Sequence, residues 1–492
     1  MFRQRNSGGQ RFSVSLVTVG LTICVMLNVA YSQTAAVVDD SHYPDLSITN
    51  SQDCDSCDSH GCVDGECGCD SFACDSISGP NWIGPDCYAA ACDCGGPCLC
   101  GQGIGGRENA SDWLRLDTPL TDALLDFQNR QTDKELLILE NHARHRGNDP
   151  VVIVGGQARL SFLAATTNAE DKFPYLGRFP TDFSGSTATD ARMLHANAHA
   201  TVHLTSYASV YSELLFSDVF SFSDFKQGSL QVRQAYAVIG DFRVSPFFLY
   251  IGKKNVGFGD FSTLSPFTQS VTWHYFAALA EGIGGGYHDD RWDITLAGIN
   301  GGRGIRLNDS PEQGKLNNMA ANVTYTLGDY RDRQLQLGGG FLLGTIYDGF
   351  TAEHLDRNQF GEDYNSAWSV NARLDIDRIT LAGEYVTTTD DWPVTQSQVF
   401  AYRTEAAYWF DRGPCGSHAS VSWSSGEQGP SGSEFEFNNQ LVIGYGKRFS
   451  PRCRASVEYV RSSGFAPLID ITTVSDRDVV QDSVVLGLNL IL

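Results

Sequence analysis

Beyond its first thirty or so residues the chain has no long hydrophobic run: no later stretch approaches the roughly 20 apolar residues that a membrane-spanning helix needs. Any residence in a membrane must therefore use strands. Methionine is scarce, 4 in 492 residues, whereas 50 glycines and 19 tyrosines suit a strand-rich chain better than a helical one. Positive charge is in deficit, with 35 Lys and Arg against 58 Asp and Glu. Phosphate backbones need the opposite balance, so nucleic acid is not an expected partner. Catalytic signatures are missing too. There is no GxSxG, no HExxH, no phosphate-binding Walker loop and no clustered Ser/His/Asp triplet, so the chain reads as a non-enzyme without a cofactor.

Composition divides the chain into four regions. Residues 1–32 read as a signal peptide: Arg3, Arg5 and Arg11 precede the uncharged apolar run Phe12 to Ala30, and Ala30-Tyr31-Ser32 supplies small residues at a cleavage site. Without those arginines the exported chain carries a net charge near −26. Residues 33–106 form an acidic, low-complexity segment with no Lys or Arg, twelve carboxylates and 11 of the 14 cysteines, between Cys54 and Cys100. In an exported chain, disulfides are the default use of dense cysteines. The CxxC and CxC spacings match no zinc module, and a spacer is the plain alternative. Residues 107–148 read as a helical linker at the inner mouth of a C-terminal barrel. Leu120, Leu124 and Phe127 recur at helical spacing, and a basic tail ends before Gly147-Asn148.

From residue 149 to 492 the texture is alternation. Arg373 and Asp375 interleave with Ala372, Leu374 and Ile376, and Arg403 and Glu405 with Tyr402, Thr404 and Ala406; in a strand such sets face opposite sides. Sixteen strands can be placed, and the connections between them alternate strictly between short turns and long loops. A soluble sandwich has no reason to sort its loops in this way, whereas an outer-membrane barrel does. The expected fold is an all-β transmembrane barrel of about 16 antiparallel strands. Trp292, Tyr325, Trp368, Tyr385, Trp423 and Tyr459 fall near strand ends, as interfacial girdles require. The C-terminal Gly-x-x-Leu-x-Leu resembles the signal read by the outer-membrane assembly machinery, with leucine where an aromatic is usual.

The inward set is rich in charge: Arg159, His199, His203, Glu213, Arg233, Asp293, Arg373, Asp375, Glu384, Arg403, Glu405 and Glu458. A dry core cannot hold so many charges, because each costs several kcal/mol unless paired; a water-filled lumen can. Both signs are present, so no charge selectivity can be assigned. His199 and His203 share the lumenal face at a spacing a metal could use, but solvated lining accounts for them equally, and no metal site is expected. Cys415 and Cys453 fall in short turns at one barrel end, about 10 Å apart by strand spacing, and a disulfide between them is expected.

The stretch VRQAYAVIGDFRVSPFFLYIGKKNVGFGDF resembles a segment of LbtU-type siderophore porins. Gln234, Ala235, Tyr236, Gly240, Ser245, Pro246, Phe247, Gly252, Lys253, Phe258 and Gly259 carry the match, while Val256-Gly257 stands where that family has a proline. The resemblance covers about residues 150–492. It implies an outer-membrane porin of a Gram-negative-type bacterium that passes small hydrophilic solutes or ferric siderophores, without a plug domain of the TonB-dependent kind. No segment of plug-domain size precedes the barrel. Sixteen-stranded porins are commonly homotrimers, although nothing in this sequence marks a trimer contact. Their third outward loop commonly folds inward, which here implies that residues 257–280 narrow the pore. Asp260, Trp273 and His274 would then face Arg233 and one of Lys253 or Lys254, with Arg159, Arg373, Arg403 and Glu405 lining the passage. The alternative is a structural or adhesive envelope protein whose barrel anchors the Cys-rich segment.

Overall fold

Alternating side chains leave each strand with one apolar and one polar face, and a chain of such strands buries its polar face only by closing on itself. The computed structural model describes residues 113–144, 150–170, 185–217, 229–301, 303–304, 315–329, 333–348, 363–413, 415–430, 438–464 and 479–492. The expected signal peptide and Cys-rich segment lie outside these residues. All described residues belong to one compact unit.

A three-residue strand β1 (Leu114–Leu116) precedes helices α1 (Thr118–Leu125) and α2 (Lys134–Arg144). Then come β2 (Val151–Thr167), β3 (Thr187–Thr205), β4 (Ala208–Ser217), β5 (Ser229–Ile239) and β6 (Phe247–Asn255). The short helix α3 (Val271–Phe276) leads into β7 (Ala278–His288), β8 (Trp292–Asn300) and the two-residue β9 (Arg303–Gly304). The chain continues with β10 (Leu316–Asp329), β11 (Arg333–Leu342), β12 (Ala367–Ile376), β13 (Ile379–Trp392) and β14 (Ser397–Asp411). It ends with β15 (Ser417–Glu427), β16 (Asn438–Ser450), β17 (Cys453–Gly464) and β18 (Val480–Ile491).

Each long strand pairs antiparallel with its neighbours in sequence, β8 pairs with β10 past the small β9, and β18 pairs with β2. The ring is therefore closed, with sixteen strands in the wall, at the positions the alternation indicates. Closure leaves no exposed sheet edge. The outward face carries Leu214, Val232, Leu296, Leu337, Val370, Leu381, Val421, Ile443 and Val484, all exposed. Aromatic pairs bracket this apolar belt: Trp292 with Tyr325 (4.3 Å) at the short-turn end, and Trp368 with Tyr385 (5.5 Å) at the long-loop end. No described helix is long and apolar enough to cross a membrane, so crossing would be by strands.

Residues 113–144 do not stop at the mouth. β1 extends the sheet at the short-turn rim by pairing in parallel with β2, Leu114 opposite Val152. The chain then turns into the barrel. Asp117 caps α1 by accepting from the Leu120 N–H at 2.9 Å. Lys134 through His142 of α2 are buried on every side, a state a solvated linker helix does not reach. The linker expected to rest at the inner mouth thus enters the lumen instead.

The register also settles the cysteines. Cys453 pairs with Ser450 on β16, while Cys415 Sγ lies 3.7 Å from the Phe449 carbonyl on the other side of that strand. The expected Cys415–Cys453 bridge is not made: Cys415 is disulfide-bonded, but not to Cys453.

Candidate functional site

The lumen holds two inserted pieces, each fixed by polar groups of the wall. The first is the third long connection, residues 256–277, which folds inward with Phe258, Phe261, Phe267, Trp273 and Tyr275 buried. An irregular segment inside a barrel needs acceptors for its N–H groups, and three wall glutamates supply them. Glu384 accepts from Asp260 N (2.8 Å) and Phe261 N (3.1 Å). Glu405 accepts from the Thr263 hydroxyl (2.6 Å) and Leu264 N (3.0 Å). Glu458 accepts from Phe267 N (2.7 Å) and Thr268 N (3.0 Å). Farther along, Ser424 Oγ accepts from Val271 N at 3.1 Å, and α3 runs on from Ser270, which caps it. Glycines on the wall make room: a Cβ on Gly487 would lie 2.3 Å from the Phe267 ring, and one on Gly426 would lie 2.6 Å from the Tyr275 ring.

The second piece is the helical plug, residues 113–144. Thr121 Oγ1 lies 3.0 Å from His199 Nε2 on β3. Phe127 packs under Arg159 and Arg233, whose guanidinium carbons sit 5.4 and 4.4 Å from its ring centre. His142 stacks on His203 with centroids 4.4 Å apart, and Asn141 reaches His203 Nε2 at 3.2 Å. Glu135 is ion-paired to Lys254. On the opposite wall Asp122 meets Arg448 and Arg454. The plug also meets the inward loop: the Gln128 amide donates to the Phe267 carbonyl (2.8 Å) and the Thr132 hydroxyl to the Gly259 carbonyl (3.1 Å). Burial drives the Lys134 ammonium down to about 8, although Glu213 pulls it upward. Burial likewise opposes ionisation of Asp126, but Arg454, Asn129 and the Gln128 N–H outweigh it and hold the carboxyl below its ordinary value.

Between plug, loop and wall a cavity of about 250 Å³ remains near the short-turn end, bounded by Asp122, Asp126, Thr263 to Pro266, Trp409, Arg412, Lys447, Arg448 and Arg454. Among the described residues, no group of three or more His, Cys, Asp or Glu side chains is arranged to hold a metal ion. His199 and His203 turn to different partners, Thr121 for the first and Ser209 with Asn141 for the second.

The residues expected at a constriction are distributed otherwise than foreseen. Asp260 pairs with Arg403 on the far wall, not with Arg233 or a lysine. Arg403 is almost fully buried among Asp260, Glu384 and Glu405, which gives it three carboxylates at once. Arg233 pairs with Glu213 at 3.1 Å. Of the two lysines, alternation sends Lys254 inward, while Lys253 donates to the Val232 carbonyl on the exposed side. Trp273 is buried and His274 is half-buried beside it at 5.1 Å. Arg159 donates to the Phe267 carbonyl at 2.9 Å and lies 4.4 Å over its ring. Arg373 pairs with Asp375 at 2.8 Å. A bulge at Glu213/Leu214 lets Arg233 and Gln234 both point inward, where simple alternation would allow only one. Sequence reading missed Asp122, Phe127, Lys134, Glu135, Arg448 and Arg454, for their partners lie on strands remote in sequence.

No protein-family model matches the chain, and no curated protein matches it. The LbtU-type resemblance thus finds no family match. Solved structures similar to it include the outer membrane channel DcaP of Acinetobacter baumannii, with 13% identity, 70% of this chain and 98% of that one covered, and a TM-score of 0.46. The anion-selective porin from Comamonas acidovorans is 8% identical, with 70% and 100% covered and a TM-score of 0.45. Salmonella typhi OmpF in complex with daunomycin is 13% identical, with 69% and 97% covered and a TM-score of 0.45. At such identities the likeness concerns the fold alone.

Proposed function

We propose that this chain is an outer-membrane channel for small hydrophilic solutes, restricted by the plug and the inward loop. The observation that carries the reading is a closed ring of sixteen strands with an apolar outer belt and a densely charged interior. Lipid demands the belt and closure, since no unpaired backbone group is tolerated in hydrocarbon. Ionised groups inside need water or partners, which a lumen provides. Single-channel recording of purified protein in planar bilayers tests it: stable open steps are expected, and a membrane that stays sealed with or without the plug overturns it.

Ferric siderophores are the finer reading, supported by the resemblance of residues 232–261. The plug and the inward loop fill the lumen, so passage of such a complex requires the plug to leave. Loss of growth under iron limitation in a deletion strain is the expected outcome. A second reading, a barrel that only anchors the Cys-rich segment, is favoured by one observation, the filling of the lumen by both the plug and the inward loop. It predicts a sealed membrane. A homotrimer is expected of the architecture, and cross-linking of the protein in native membranes checks it.

A further inference from the structure

The wall of the residual cavity is basic, and its counter-charge is borrowed. Arg373 and Arg412 share Asp375, a carboxylate of the wall itself. Arg448 and Arg454 do not: their carboxylate partners are Asp122 and Asp126, both from the plug. Arg412 Nε beside them is buried without an acceptor, whereas Lys447, of the same parity as outward Ile443 and Tyr445, lies on the other face of β16. A barrel wall whose two neighbouring guanidinium groups take their carboxylates only from the plug is arranged for an anion from elsewhere. The geometry at Asp122 shows what that anion looks like. Arg454 Nη2 donates to both of its oxygens, at 2.7 and 2.9 Å, and Arg448 Nη2 closes on the same group. Two guanidinium groups converging on one carboxylate form a site for oxyanions in general, because their rigid donors match the paired oxygens of carboxylate and phosphate alike.

We propose that Arg448 and Arg454 form an anion-binding site on the barrel wall, that Asp122 occupies it as a tethered stand-in, and that small carboxylate or phosphate solutes bind there by displacing it. The site rests on the channel reading and deepens it by giving it a solute class, and it couples arrival of that solute to release of one anchor of the plug. Solute and plug then compete for the same two arginines, so an anion weakens the closed arrangement by binding where the plug binds.

Trp409 borders the cavity, stacked on His418 with centroids 4.5 Å apart and with the Arg412 guanidinium carbon 5.5 Å from its ring, and it reports on the site. Its contribution in the full chain, obtained by difference from Trp409→Phe in detergent, is quenched with iodide and with caesium. Heat-modifiable migration on gels certifies that each barrel is folded. Asp122→Asn should raise iodide quenching several-fold and leave caesium quenching unchanged. Millimolar inorganic phosphate or succinate should suppress the iodide effect, and whichever suppresses it at lower concentration identifies the preferred oxyanion. Adding Arg448→Gln and Arg454→Gln should abolish the gain. Equal quenching by the two ions in Asp122→Asn, or iodide quenching that survives loss of both arginines, overturns the site. Conductance decides the channel separately: a barrel that quenches as expected but never conducts keeps the site and loses the pore. One that conducts without the quenching asymmetry does the reverse.

Discussion

Lys254 of β6 and Glu135 of α2 meet with almost no exposure to solvent. Removing one member of a buried pair leaves an uncompensated charge, at a cost of about 3–5 kcal/mol. Lys254→Met should therefore loosen the plug more than the double variant Lys254→Met/Glu135→Leu, and protease cleavage between residues 113 and 144 in the folded barrel measures this. Lys134 offers a pH handle. Docked, its pKa is lowered to about 8 from an ordinary 10.5, so between those values the docked state binds fewer protons than the undocked one. Docking is then penalised below pH 8 and relieved as pH rises toward 10.5. Glu213, Arg233, Asp126 and Asp133 are the charged groups that act on it. Protection of the plug should increase across that window in the wild type and lose this component in Lys134→Met.

The inward loop behaves as one element because Glu384, Glu405 and Glu458 hold it at three successive places. Hydrogen bonds to charged groups contribute about 1.5–3 kcal/mol each, so changing all three to alanine should release the loop from the wall. Deleting Ser262–Tyr275, or placing a leucine at Gly487 where a Cβ already meets Phe267 at 2.3 Å, should act in the same direction. Each change should enlarge conductance steps or their noise, and an unchanged record from a correctly folded barrel would show that the loop does not narrow the path. The strand positions of these glutamates were legible from alternation, which placed all three on the inward face. Their partners were not, because an irregular loop has no periodicity to reveal which of its N–H groups seeks which acceptor.

For the whole molecule, the ring closes through β18 and β2 without help from residues 113–144. Removing that segment should leave a heat-modifiable barrel with larger conductance, and a barrel that fails to form would show that the plug is part of the folding unit. The outer belt and its aromatic brackets depend only on outward residues, so they should be indifferent to the same deletion.

The strand pattern, its strict alternation of short and long connections and the inward charges were all decided by the sequence alone. They are local: a period of two and a turn chemistry are written in neighbouring residues. The sequence also marked residues 107–148 as a helical linker. It could not say that the helices would enter the barrel, since Asp122, Lys134 and Glu135 look solvated when read along their own helices. Only the tertiary structure decided that these charges face Arg448, Arg454, Lys254 and Glu213, 79 to 332 residues away. Such pairs form because a closed ring brings remote strands to one interior, where a buried charge must find whatever partner the opposite wall presents.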